Sequence, residues 1–261
     1  MKKKKLAIFV LILGVLFFAV GVGGLYSEHL RRVRAQKQYE SLAALAREST
    51  VPETEAPTET VPETEEIKET ERYVSPIQFE ELAAINPDVK GWLRVENTSI
   101  DYPIVQTDNN ETYLDTDFEG NHSVAGAIFL DFESEPDFSG RHNILYGHHM
   151  KNGTMFKDIV KYKEEAYFKE HQKITVYLPD REIHLKPIAV LYTAPVGIRR
   201  MTKFDTEESF QKYVVNMTEG GLVMDMPEEQ PARLWSFVTC SYEFNDARTI
   251  LYAVEVPEVE K

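Results

Sequence analysis

The chain contains one cysteine, Cys240, which closes the apolar run Leu234-Trp235-Ser236-Phe237-Val238-Thr239-Cys240. A lone thiol serves either as a small apolar filler or as a nucleophile. Here an apolar strand gives way to Ser241, Glu243, Asn245 and Asp246, so the thiol belongs at a rim rather than in a core. A thiol in general, with a pKa of about 8.5, attacks poorly at neutral pH unless a base or cation activates it. Histidine can do either, because it ionises close to neutrality. The candidate is His148, delivered where a strand passes into a loop in Leu145-Tyr146-Gly147-His148-His149-Met150-Lys151-Asn152-Gly153-Thr154-Met155-Phe156. Arg248 opens the next apolar run, and an antiparallel pairing would return its guanidinium beside the sulfur. Thr239 and Ser241 flank the nucleophile and, with Tyr192, are candidate substrate-binding residues. Metal binding by His142, His148 and His149 is an alternative without a recognised ligand spacing, so neither a metal nor a cofactor is expected. His149 itself reads as a solvated loop residue.

These side chains need a scaffold, since 92 positions separate His148 from Cys240. From residue 73 onward, short apolar runs alternate with turn residues, at 91–95, 100–106, 125–131, 143–147, 174–178, 183–192, 232–241 and 248–256. Pro179-Asp180-Arg181-Glu182 predicts a hairpin turn. Many short strands at this spacing imply a mostly β fold, a barrel or sandwich, with added helices. About 190 residues suffice for a single core. Helices are predicted over 76–85, where Asn86-Pro87 stops the pattern, over 155–170, and over 206–217 with a cap at Asp205/Thr206.

Ahead of this domain, 73–261, the chain has a graded composition. Residues 1–5 form a basic tail with Lys2 to Lys5, and residues 6–25 carry no charge. At about 1.5 Å per residue that stretch matches a hydrocarbon core of about 30 Å, and it exceeds the usual apolar segment of a cleaved signal peptide. It is therefore expected to be a transmembrane helix. Arg31, Arg32, Arg34 and Lys37 nearly balance the lysines, so flanking charge alone does not orient it. Residues 26–48 read as a juxtamembrane helix. Residues 49–72 repeat Val-Pro-Glu-Thr at 51–54 and 61–64 and read as a disordered Pro/Thr/Glu spacer. Twenty-nine basic against 43 acidic residues, a net charge of −14, argues against nucleic acid as a partner. A single cysteine excludes an internal disulfide.

The ordered set of motifs resembles the sortase transpeptidases of Gram-positive bacteria over about residues 77–256. The resemblance is closest to class B, through Asn86-Pro87-Asp88-Val89-Lys90-Gly91-Trp92-Leu93, Ile100-Asp101-Tyr102-Pro103-Ile104-Val105-Gln106, the Tyr-Gly-His-His-Met-Lys-Asn-Gly-Thr-Met-Phe run, and Thr239-Cys240-Ser241-Tyr242-Glu243-Phe244. It implies a closed sortase-type β-barrel with an N-terminal helix and an inserted helix before the cysteine strand. It also implies a membrane-anchored cysteine transpeptidase with Cys240, His148 and Arg248 as catalytic residues. Its partners would be secreted proteins with a C-terminal sorting signal of the Asn-Pro-x-Thr-(Gly/Asn) type, a cell-wall-precursor or pilin amine, and the membrane. The N-terminus would then be cytoplasmic and the catalytic domain extracellular, in a single-pass cell-membrane protein. Ser236 and Phe237 stand where the family often has Thr and Leu, a change expected to act on the substrate groove. Two rivals remain: an extracellular cysteine hydrolase using water as acceptor, and a non-enzymatic β-rich surface binding module with a buried cysteine.

Overall fold

The structure, a computed structural model, describes residues 2–47, 73–195, 197–240 and 246–257. Strands follow the apolar runs: β1 (Val89–Val95), β2 (Asp101–Val105), β3 (Ile128–Leu130), β4 (His142–Tyr146), β5 (Ile174–Tyr177), β6 (Glu182–Thr193), β7 (Val223–Met224), β8 (Leu234–Cys240) and β9 (Arg248–Glu255). Eight of them run in the order β5-β1-β2-β3-β4-β8-β9-β6, and β6 pairs back to β5 to close a barrel. The β5–β6 hairpin turns at the predicted Pro179-Asp180 corner. Only β2–β3 and β4–β8 are parallel. The short β7, unmarked by any apolar alternation, lies along the second half of β6 where β5 has ended.

Side chains alternate across a strand, so each strand divides its residues between two apolar layers. Leu145, Phe237 and Leu251 point into the barrel with Trp92, Phe118 and Phe156. Ile188, Leu191, Leu234, Ile250 and Tyr252 point outward and are covered by Phe210, Tyr213, Val214 and Met217. These last four are at helical spacing on α4, the inserted helix, which follows α1 (Lys2–Leu45), α2 (Phe79–Ile85) and α3 (Glu165–Glu170) and spans Glu207–Thr218. Thr206 caps α4 by accepting from the Ser209 amide, and the Ser209 hydroxyl returns a bond to the Thr206 backbone.

Two expectations need correction. The stretch 155–170 is not one helix: a 3₁₀ segment over Phe156–Lys163 precedes α3. Phe156, Ile159 and Tyr162, all buried, recur at intervals of three, the period of a 3₁₀ turn, and Glu164 in extended backbone separates the two pieces. The second correction concerns the N-terminal region. Residues 6–25 are not a separate segment but part of one 44-residue helix, α1, which continues through Arg31, Arg34 and Lys37 and seats Ala35, Tyr39 and Leu42 against the barrel. Among the described residues no helix is long and apolar enough to cross a membrane. The single-pass cell-membrane arrangement, with its cytoplasmic N-terminus, extracellular domain and membrane partner, is thereby overturned. The 49–72 spacer lies outside the described residues.

Candidate active site

Two adjoining ladders set the level of three side chains. In the parallel β4–β8 pair, Tyr146 is opposite Val238, and the ladder continues with the Gly147 amide donating to the Val238 carbonyl at 3.2 Å. Continued two residues, this register leads toward the level of Cys240, and His148 follows just past the strand end. In the antiparallel β8–β9 pair, Cys240 is directly opposite Arg248. Thr239 points inward, so Cys240 belongs to the outer face, shared by Val238, Arg248 and Ile250. The imidazole, thiol and guanidinium carriers thus occupy neighbouring positions at one end of the barrel.

Local chemistry holds this end in shape. Gly147 faces inward, and a Cβ there would come within 2.5 Å of Ile128 Cδ1 and 2.8 Å of the Phe156 ring. Only glycine lets β4 run this close to the core before the chain turns out to His148. His148 Nε2 lies 2.6 Å from the Leu114 carbonyl, which accepts its proton. Cys240 is a half-buried free thiol. Arg248 Nη1 donates to the carbonyls of Asp246 (3.0 Å) and Ala247 (3.2 Å), in a turn that holds Asp246 at φ +60°. Among the described residues no carboxylate pairs with Arg248.

Beside Arg248, a groove of about 220 Å³ runs along the outer face. Ile144, Tyr146, Val238 and Ile250 form its floor, Arg248 one end, and Thr193, Ala194, Pro195 and Gly197 a wall, joined by Arg199 and Arg200. Arg199 Nη1 donates to the Tyr252 hydroxyl at 2.8 Å. Arg200 is paired with Asp131, whose side chain is wholly buried, through Nε at 2.9 Å and Nη2 at 3.2 Å. Tyr146 and Asn110 also donate to that carboxylate, at 2.8 and 2.9 Å. Burial pushes Asp131 up, but the Arg200 guanidinium, the Glu133 amide and the Tyr146 hydroxyl outweigh it and hold the carboxyl below its usual range. Asp131 and Arg200 were not singled out by sequence, because two residues 69 positions apart meet only in the closed barrel.

The remaining expected residues are placed as follows. Thr239 and Tyr192 lie on the face opposite Cys240. Thr239 is buried opposite Thr249 inside the barrel, and Tyr192 sits exposed at its rim, so the outer groove does not reach the Thr239 side chain. Ser241, with Glu243 and Asn245, lies outside the described residues. Phe237 packs inside the barrel against Phe156, and the Ser236 hydroxyl bonds His142 Nε2 at 2.6 Å beneath α4, so these two changes act on the core rather than on the groove. His142 spends its other ring nitrogen on the Met201 carbonyl and has none left for a metal. His149 is not a solvated loop residue: its Nδ1 lies 3.1 Å from the Cys240 carbonyl and its Nε2 2.7 Å from Lys157 Nζ. Burial, then the Lys157 charge, hold its pKa below the ordinary value.

A thiol, an imidazole and a guanidinium beside a mainly apolar groove can perform nucleophilic acyl transfer on an extended peptide. Comparison with known proteins agrees in kind. The sortase domain model matches residues 93–256. Sortase B of Staphylococcus aureus is 28% identical over 177 residues, 67% of this chain and 72% of that protein. The crystal structure of Clostridium perfringens sortase B is similar with a TM-score of 0.65 at 30% identity, covering 69% of this chain and all of that one. A Staphylococcus aureus sortase B–substrate complex is similar at 0.65 and 27%, over 72% of this chain and 88% of that one.

Proposed function

The chain belongs to the sortase family of cysteine transpeptidases, and we propose that Cys240, His148 and Arg248 carry out its acyl transfer at the end of the outer-face groove. The substrate is a protein bearing a C-terminal sorting signal of the Asn-Pro-x-Thr-(Gly/Asn) type. The Cys240 thiolate attacks the Thr carbonyl carbon, and the C–N bond to the following residue breaks. His148, as imidazolium, gives its proton to the departing amine, leaving a thioester on Cys240. An amine of a cell-wall precursor or a pilin lysine then attacks the thioester. His148 takes the proton of that amine, the C–S bond breaks, and Cys240 leaves as the thiolate, restoring the starting pair. Arg248 donates to the substrate backbone or to the oxyanion formed at each step, where fixed donors act most strongly.

One observation supports this reading: Cys240 is opposite Arg248 across β8–β9, and the parallel β4–β8 ladder, last paired at Tyr146 and Val238, leads the chain to His148 at the same end of the barrel. The groove supports it with an apolar floor that continues from Arg248 along the strands. The test is incubation of the protein with a peptide carrying the sorting motif, with and without a glycine-oligomer acceptor. Ligated product is expected. Cys240→Ala should lower ligation by about a thousandfold or more while leaving the melting temperature nearly unchanged, since the thiol is only half-buried. A Cys240→Ala variant that still ligates removes the nucleophile from the mechanism. Peptide cleaved without amine incorporation identifies water as the acceptor and the protein as a hydrolase.

A further inference from the structure

We propose that His149 is a positioning residue for Cys240, its ring standing in for the next backbone rung between β4 and β8. This rests on the acyl-transfer reading above. In a parallel ladder the amides of alternate residues on one strand donate to alternate carbonyls on its neighbour. The Gly147 amide donates to the Val238 carbonyl, so the following rung would run from the His149 amide to the Cys240 carbonyl. That carbonyl receives the Nδ1–H of the His149 ring instead, at 3.1 Å. Lys157 fixes the tautomer. An ammonium has protons but no lone pair, so at 2.7 Å it donates to Nε2, and the ring proton must sit on Nδ1. Lys157 is itself held by the returning loop, where His149 bridges Met155 and the Phe156 amide donates to the His148 carbonyl at 2.9 Å.

The side-chain rung does what a backbone rung cannot. The main chain diverges from β8 at Gly147, swinging His148 out of the sheet, while the strand end that carries the thiol stays fastened to the same loop. Spacing between nucleophile and proton carrier is thereby held by His149, which need touch neither the substrate nor the sulfur.

Asparagine places an amide donor close to where the Nδ1–H stands, whereas glutamine carries it one bond farther out. The full chain with His149→Asn, His149→Gln or His149→Ala is assayed for acyl-enzyme formation with the sorting peptide, and separately for the rate at which iodoacetamide alkylates Cys240. His149→Ala and His149→Gln should lower kcat about tenfold at unchanged KM, and change the alkylation rate by about threefold or more. His149→Asn should stay within about threefold of the parent in the first assay and match it in the second. Should His149→Ala fail to fold, the Asn–Gln pair decides. Asn and Gln variants that behave alike, or an Ala variant equal to the parent in both assays, overturn the inference. A parent protein that is alkylated normally but is never acylated by the peptide instead overturns the substrate reading, and the alkylation rates still judge His149.

Discussion

His142 lies wholly inside the protein with both ring nitrogens engaged, Nδ1 donating to the Met201 carbonyl and Nε2 accepting from the Ser236 hydroxyl. Burial lowers its pKa to about 4, so between the unfolded value of about 6.5 and that figure only the unfolded chain takes up the proton. Its contribution is therefore complete above pH 6.5 and lost as pH falls toward 4, on the order of 3 kcal/mol in all. Asp131 acts in a lower window. Its folded pKa is depressed, so its contribution is present above about pH 4 and lost below that. Melting curves from pH 8 to 3 should show a decline below pH 6.5 that His142→Gln flattens and a further one below pH 4 that Asp131→Asn flattens. A His142→Gln variant with an unaltered slope between 6.5 and 4 would refute the first assignment. At this scale the pairing of Cys240 with Arg248 was legible, because each is a chemically distinctive residue at the end of an apolar run. His149 and Asp131 were not, since what defines them is a partner remote in the sequence.

Among the elements, β4 and the segment after it control how His148 is presented. Gly147 has no room for a methyl group against Ile128 and Phe156. Gly147→Ala should cost about 1–3 kcal/mol through overpacking, and should lower kcat about tenfold by displacing the loop at His148. Unchanged kcat beside a lowered melting temperature would mean the loop adjusts independently of the core. Most strands and α4 were readable from apolar runs and the Thr206 cap, because burial on a sheet and on a helix leaves different periods. The region after Met155 was misread because its apolar residues suit a helix in composition, while Phe156, Ile159 and Tyr162 repeat every third residue. Met155 is also held at φ +57° and buried, with its amide donating to the Tyr102 hydroxyl at 3.0 Å. Such a backbone is sparsely populated for a side-chain-bearing residue, and residue type does not reveal it.

On the scale of the molecule, α1 and the barrel are one packed body where they meet. Tyr39 is buried edge-on to Tyr102, its hydroxyl donates to the Gly126 carbonyl at 2.6 Å, and Arg47 pairs with Asp101 just past the helix end. Tyr39→Ala should cost about 3 kcal/mol and speed amide exchange in the last turns of α1, measured by denaturant titration and hydrogen exchange. Stability equal to the parent would show that the helix adds nothing to the barrel. The sequence pointed to a closed barrel through strand count and family resemblance, but not to this docking, because the apolar stretch at 6–25 dominates the hydropathy of the whole N-terminal region.

β8 enters the ring between β4, which it joins in parallel across a long loop of chain, and β9, which arrives after it. Pairings between such distant segments form slowly and late. On the mechanism proposed for Cys240, His148 and Arg248, a chain whose ring is still open has a thiol without an acid–base partner or an anion holder and does not react with peptides. On that mechanism competence comes only with closure, and the protein is spared from cleaving its neighbours while it is still folding.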